Sequence, residues 1–162
     1  MQPLTPDDVQ QAIEQFDPTI RIQHFETSTA TSELAAAAIG CELGQIAKSI
    51  CFVVDGQAVL VVASGDQLVD DRKLAAYFNV GRKKVKLAKP DECLSIFGYL
   101  PGGVPPIGHR TAGITILLDT TMQRYAIMYA AAGTSQDNFG VPLPLLEKMT
   151  GGVFVDVVKE NS

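Results

Sequence analysis

Tryptophan is absent from the chain, aromatic residues make up only 7% of it, and it carries three cysteines and two histidines. Each scarcity removes a class of function. Cys41, Cys51 and Cys93 are odd in number and widely spaced, with no Cys-x-x-Cys pair and no neighbouring histidine. Neither a disulfide framework nor a zinc finger is signalled, and buried free thiols are expected. His24 and His109 lie most of the chain apart, which removes a multi-histidine metal centre. No apolar run approaches bilayer length. Residues 1–11 are polar and carry Asp7 and Asp8, so neither a signal peptide nor a transit peptide is expected, and the reading is cytoplasmic with no membrane partner. There is no Gly-x-Ser-x-Gly elbow, Walker loop or dinucleotide fingerprint, and no Ser or Cys in a nucleophile setting. The net charge of −5 argues against gripping nucleic acid by bulk charge.

What is present points to one globular domain over residues 1–162, with 46% hydrophobic content to fill a core. Thr5, Pro6, Asp7 and Asp8 form a helix start, and Val9, Ala12, Ile13 and Phe16 follow at helical spacing until Pro18. Residues 21–25 predict a strand and 27–31 a hydroxyl-rich loop. Leu34, Ala37, Ala38 and Cys41 predict one face of an alanine-rich helix that stops near Gly40 or Gly44. Residues 47–54 and 57–63 are apolar strands joined at Asp55-Gly56, a strong hairpin signal, and their two apolar faces predict central positions in a sheet. Helices are predicted over 70–78, from Pro90 to about Phe97, and over 142–150. Further strands are predicted over 85–87, 115–118, 127–132 and 153–158, with a polar loop over 133–141. The irregular alternation indicates a mixed α+β domain.

Three features carry potential chemistry. The run Gly-Tyr-Leu-Pro-Gly-Gly-Val-Pro-Pro-Ile-Gly-His over 98–109 has glycines that admit a close ligand and prolines that stiffen the chain. It can serve as a plain surface turn, or as an arch whose N–H groups at Gly102, Gly103, Val104 and Gly108 converge on a substrate oxygen. Lys48 shares a strand face with Ile50, Phe52 and Val54. Either its stem packs there while the ammonium reaches solvent, or it enters a polar pocket to hold an anionic or carbonyl oxygen. His109 can act as a base, donate to a phosphate or ribose, or anchor its own loop. His24 and Asp119 read as structural. Arg82, Lys83, Lys84, Lys86 and Lys89 form a basic cluster.

Taken together, Ile46-Ala-Lys-Ser-Ile50, the 98–109 run and Met128-Tyr-Ala-Ala-Ala-Gly133 resemble the YbaK/prolyl-tRNA editing domain family, in order and spacing over nearly the whole chain. The resemblance implies a mixed, partly barrel-like β-sheet surrounded by helices, which hydrolyses the ester of mischarged aminoacyl-tRNA in trans. It also implies a pocket for the aminoacylated 3′-terminal adenosine, no metal or other cofactor, and a possible aminoacyl-tRNA synthetase partner. Catalytic roles are implied for Lys48 and for the backbone of Gly102, Gly103 and Val104 within a Gly-x-x-x-Pro loop. The ribose hydroxyl and a water would move the protons. Substrate contacts are implied for Phe25, Ser49, Pro106, Gly108, His109, Ala131, Gly133 and Asn138. Where relatives carry Ser-Gly-Gly this chain has Ala131, Ala132 and Gly133, so one serine contact is lost, and a commonly acidic position falls at Asp137 or Asn138. The alternative is a binding or regulatory module that recognises an aminoacyl-adenosine-like ligand without hydrolysing it.

Overall fold

The computed structural model describes residues 1–160. Helix α1 (Pro6–Glu14) begins where the Asp8 carboxylate accepts the Thr5 N–H at 2.7 Å, and it buries Val9 and Ile13. Strand β1 is Gln23–His24, shorter than predicted because only these two residues pair with a neighbouring strand. Helix α2 (Ser32–Ile39) is capped by Thr31, whose side chain accepts the Leu34 N–H, and ends at Gly40 with φ +83°. Its buried face is Ala35 and Ala36, whereas the predicted Leu34 is exposed. The small side chains let this helix lie close on Ile46.

Strands β2 (Ile46–Val54) and β3 (Gln57–Ser64) form the predicted hairpin, and Asp55 and Gly56 both have positive φ, as a tight two-residue turn requires. Helix α3 (Asp71–Phe78) and strand β4 (Val85–Leu87) follow. A short α4 (Pro90–Glu92) continues into a π-helical turn, Cys93–Phe97. The remaining elements are β5 (Thr115–Asp119), β6 (Ile127–Ala131), β7 (Asp137–Pro142), α5 (Leu143–Thr150) and β8 (Val153–Val155).

The fold is α+β. The strands run β1-β7-β6-β2-β3-β5-β8, and β4 joins β2 outside this order. The β2–β6, β3–β5 and β5–β8 pairs are parallel and the others antiparallel. Among the described residues β1 and β8 do not pair, so the sheet stays open and the barrel-like closure is only partial.

Two expectations fail for tertiary reasons. The predicted loop over 133–141 is a turn followed by β7. Asp-Asn and Gly-Val-Pro are turn-forming residues, but β6 pairs with this segment from Ile127↔Pro142 to Ala131↔Asn138, and Phe139 and Val141 are buried. The last strand stops at Val155, and Val158 makes only an isolated bridge to Val69. Of the three thiols, Cys51 and Cys93 are buried, but Cys41 is only half-buried.

Apolar residues fill both faces of the sheet. Helices α1 and α5, the π-helical turn and the 98–109 segment cover one face, where Ala47, Cys51, Leu60 and Val62 point. Helix α3 covers the other, over Phe52, Val54, Val59 and Val61. One irregularity in the pairing positions the site. Along one edge of β2, β6 pairs only with Ile46 and Ala47, and β4 pairs only with Phe52, Val53 and Val54. Residues 48–51 lie in the gap between them.

Asp119 is fully buried at the end of β5, next to β3. Its carboxylate accepts the Ser64 N–H at 3.1 Å, the Thr121 N–H at 2.8 Å and the Thr121 hydroxyl at 2.5 Å. Removing it orphans buried donors, so Asp119→Ala is expected to lower stability by about 3 kcal/mol in urea denaturation. A loss below about 1 kcal/mol would show that the carboxylate does not tie β3 to β5.

Candidate active site

A cavity of about 130 Å³ opens at the β2 gap, and elements from both faces of the sheet meet there. Lys48, Ser49 and Ala47 come from β2, Gly102 and Val104 from the 98–109 loop, Ala131 from the end of β6 and Asn138 from β7. Thr29, Ala30, Thr31, Ser32 and Ala35 close it from the segment leading into α2. Sequence reasoning did not assign this last group to the site. The hydroxyl-rich composition of 27–31 was the signal that could have found it.

The loop is a built structure and not a surface turn. Its base is closed where Arg110 N–H donates to the Phe97 carbonyl at 3.0 Å and Thr111 N–H to Ile96 at 3.1 Å. Inside that base the buried Tyr99 hydroxyl donates to the Gly108 carbonyl at 2.6 Å. Val104, Pro105, Pro106 and Ile107 point inward and are buried, so an apolar cluster holds the arch from beneath. At the crest, Gly102 has φ +91°, a conformation glycine adopts without strain. Gly103 lies so close to the β6–β7 turn that a Cβ would fall 2.8 Å from Thr134 Cα, and its carbonyl accepts the Gly133 N–H at 2.9 Å.

These contacts revise the set of available donors. The Gly103 N–H donates to the Leu100 carbonyl at 3.2 Å and is not free. The N–H groups of Gly102 and Val104 have no hydrogen-bond partner among the described residues, and both residues line the cavity. They are donors that a developing oxyanion could engage.

Lys48 lines the cavity, while the carbonyl that its ammonium meets belongs to Gln67, outside that lining. Its stem stands on the α2 and α3 face of the sheet, and its ammonium donates to the Gln67 carbonyl. Burial pushes its pKa below the ordinary lysine value, opposed by the negative charges of Glu33, Asp119 and Asp66. Asp66 is itself engaged by Arg124 in a two-point ion pair of 3.0 and 2.8 Å. A partly desolvated ammonium acts on a nearby charge more strongly than one in open water.

The opposite wall is fixed through Thr29. Its N–H and hydroxyl both donate to the Ser135 carbonyl, at 2.6 and 3.0 Å, and Asn138 Nδ2 donates to Thr29 Oγ1 at 2.7 Å. Asn138 is therefore the residue that reaches the cavity. Asp137 turns away to accept the Thr134 hydroxyl and to pair with His24 Nδ1 at 3.0 Å. Ser49 Oγ is buried with no hydrogen-bond partner. A buried hydroxyl left unpaired costs about 1 to 3 kcal/mol, which a ligand group can recover.

Of the residues singled out in the sequence, Lys48, Ser49, Gly102, Val104, Ala131 and Asn138 line this cavity. Gly103 and Gly133 line a separate cavity of about 340 Å³ on the far side of the loop, against Pro3, Leu4 and Pro6. Phe25, Pro106, Gly108 and His109 line neither. Phe25 follows β1 and donates its N–H to the Gln136 carbonyl at 2.8 Å.

Fold and cavity together define the class: an α+β domain in which a backbone loop and a half-buried lysine line a small pocket. The chain belongs to the aminoacyl-tRNA editing domain family, whose model matches residues 26–149. It is 35% identical over 141 residues to the uncharacterized protein YwhH of Bacillus subtilis, covering 86% of this chain and 87% of that protein. It is 32% identical over 100 residues to the proline–tRNA ligase of Staphylococcus saprophyticus, covering 61% of this chain but only 17% of the ligase. A solved structure named as a candidate trans-editing enzyme for prolyl tRNA synthetase superposes with a TM-score of 0.88 at 31% identity, over 96% of this chain and 97% of that one.

His109 anchors its own loop. Nε2 lies 2.8 Å from the Pro105 carbonyl, which can only accept, so the proton sits on Nε2, and the ring packs edge-on to Phe97. Burial holds its pKa below the ordinary histidine value of 6.5. The unfolded chain then takes up the proton first, so this contribution to stability is present above about pH 6.5 and is lost as pH falls through the folded pKa. His109→Gln should flatten the fall in melting temperature as pH drops below about 6.5. Equal slopes in the two proteins would remove His109 as the cause.

Proposed function

We propose that this chain is an aminoacyl-tRNA deacylase that acts in trans as one editing domain in the cytoplasm, with no metal or other cofactor. The observation that carries the reading is the convergence of Lys48 and the Gly102 and Val104 amides on one small cavity in a member of the editing family. The aminoacyl group enters the cavity and the terminal adenosine stays outside it. Water attacks the ester carbonyl, and the developing oxyanion lies against the two amides. The carbon–oxygen bond to the ribose breaks, and the water's proton passes to the leaving ribose oxygen, helped by the vicinal hydroxyl. Lys48 supplies positive potential to the ester and the neighbouring phosphate.

The rest of the tRNA lies on the basic segment in this reading. Arg82, Lys83, Lys86 and Lys89 are exposed and have no carboxylate partner among the described residues, in a chain with more acids than bases. Lys86 pairs across from Val53, five residues along β2 from Lys48, which sets the patch about 17 Å from the cavity. A synthetase partner fits the ligase relatives but not a specific surface. The second reading, a module that binds without hydrolysis, is favoured by the cavity wall itself. Ala131 brings no hydroxyl, and the Asn138 amide is engaged by Thr29.

Release of amino acid from a panel of mischarged tRNAs decides between them. Lys48→Ala is expected to lower kcat/KM about 100-fold. Tight binding of an aminoacyl-adenosine analogue with no release above the uncatalysed rate would reject the deacylase. Charge reversal at Lys86 and Lys89 together should raise KM by about tenfold and flatten its dependence on salt, with kcat unchanged. An unchanged KM would place the tRNA elsewhere.

A further inference from the structure

Ser49 carries a buried hydroxyl that nothing in the fold engages. Its hydroxyl is the buried side-chain polar atom without a partner among the described residues, and Ser49 lines the cavity. Of the other lining hydroxyls, Ser32 sits on a half-exposed residue where water can reach it, and two are engaged within the protein. Thr29 Oγ1 donates to Ser135 and accepts from Asn138, while Thr31 Oγ1 accepts the Leu34 N–H. The remaining inner wall is apolar and small, built from Ala35, Ala47, Val104 and Ala131.

Size and polarity together narrow the occupant. At about 130 Å³ the cavity is slightly smaller than one that holds benzene, so an acyl group of about six heavy atoms fills it. A seryl group has that size. Strand alternation puts Ser49 and Lys48 on opposite faces of β2, so the lysine does not compete for the hydroxyl. The Gly102 and Val104 amides belong to the carbonyl oxygen in the proposed reaction. What is left for Ser49 is the aminoacyl side chain.

We infer that Ser49 determines side-chain specificity, selecting a short aminoacyl group that carries its own hydrogen-bonding atom, seryl over alanyl. This rests on the deacylase reading. Apolar walls separate acyl groups by volume but discriminate weakly between a methyl and a hydroxymethyl. A site hydroxyl that is paired by one ligand and left unpaired by the other discriminates strongly.

The test compares wild type with Ser49→Ala in two readouts: kcat/KM on seryl- and alanyl-tRNA, and calorimetric binding of seryl- and alanyl-sulfamoyl adenosine. Wild type is expected to favour the seryl form about tenfold or more in both. In Ser49→Ala the preference falls within about threefold, through loss on the seryl side with the alanyl side unchanged. The variant should melt at or above the wild-type temperature, since it removes an unpaired buried hydroxyl, so misfolding will not mimic the effect. Equal losses for both acyl groups, or no preference in wild type, overturn the assignment. If neither ester is hydrolysed while another tRNA of the panel is, the Ser49 assignment fails and the deacylase reading stands; if none of the panel is hydrolysed, the deacylase reading fails by itself, and the analogue preference still decides the role of Ser49.

Discussion

The structure turns on the interrupted edge of β2. A central strand normally has both edges paired along its length, and here β6 leaves after Ala47 while β4 joins only at Phe52. The interruption lets elements from opposite faces of the sheet meet. Lys48 reaches the cavity from the α2 and α3 face, and the 98–109 loop reaches it from the α1 and α5 face. An unbroken β2–β6 ladder would have kept the two apart by the thickness of the sheet. The departure of β6 comes from the turn after Ala131, where Gly133 takes φ +107° and a Cβ would crowd the start of α1.

That same turn anchors the loop. Gly133 donates to Gly103, and Gly103 packs on the Thr134 backbone at a distance no side chain could share. The Thr29 wall is bound to the following residue, Ser135. Three parts of the site therefore depend on one short turn: the end of β6, the crest of the loop and the wall before α2. The geometry is held mainly by backbone contacts, which suits a site whose candidate oxyanion donors are backbone amides. Preorganised amides need no rearrangement as charge develops.

Much of this was legible in the sequence. The β2–β3 hairpin follows from Asp55-Gly56, the ends of α2 and α5 from Gly40 and Gly151, and the site loop from its glycine and proline spacing. Lys48 was visible as a cation on an apolar strand face. What misled were segments whose local composition opposes their tertiary role. β7 is written in turn residues and becomes a strand only because β6 and β1 pair with it. Leu34 looks like a core residue, but Ala35 and Ala36 are buried because only small side chains allow the helix to approach Ile46. His109 was open to several roles in the sequence, and in the structure its Nε2 meets the Pro105 carbonyl.

The sequence by itself determined the α+β class, the central hairpin and the stiff loop, because periodicity, turn chemistry and proline or glycine restrictions act over a few residues. Its motif order also carried the resemblance to the editing family. Which residues face one another across the cavity was decided only by the tertiary structure. Asn138 rather than Asp137 enters the site through the register of β7 on β6. The Ser49 hydroxyl is isolated by the gap beside β2. Register, loop closure and strand departure join residues far apart in the chain, and no local pattern encodes them.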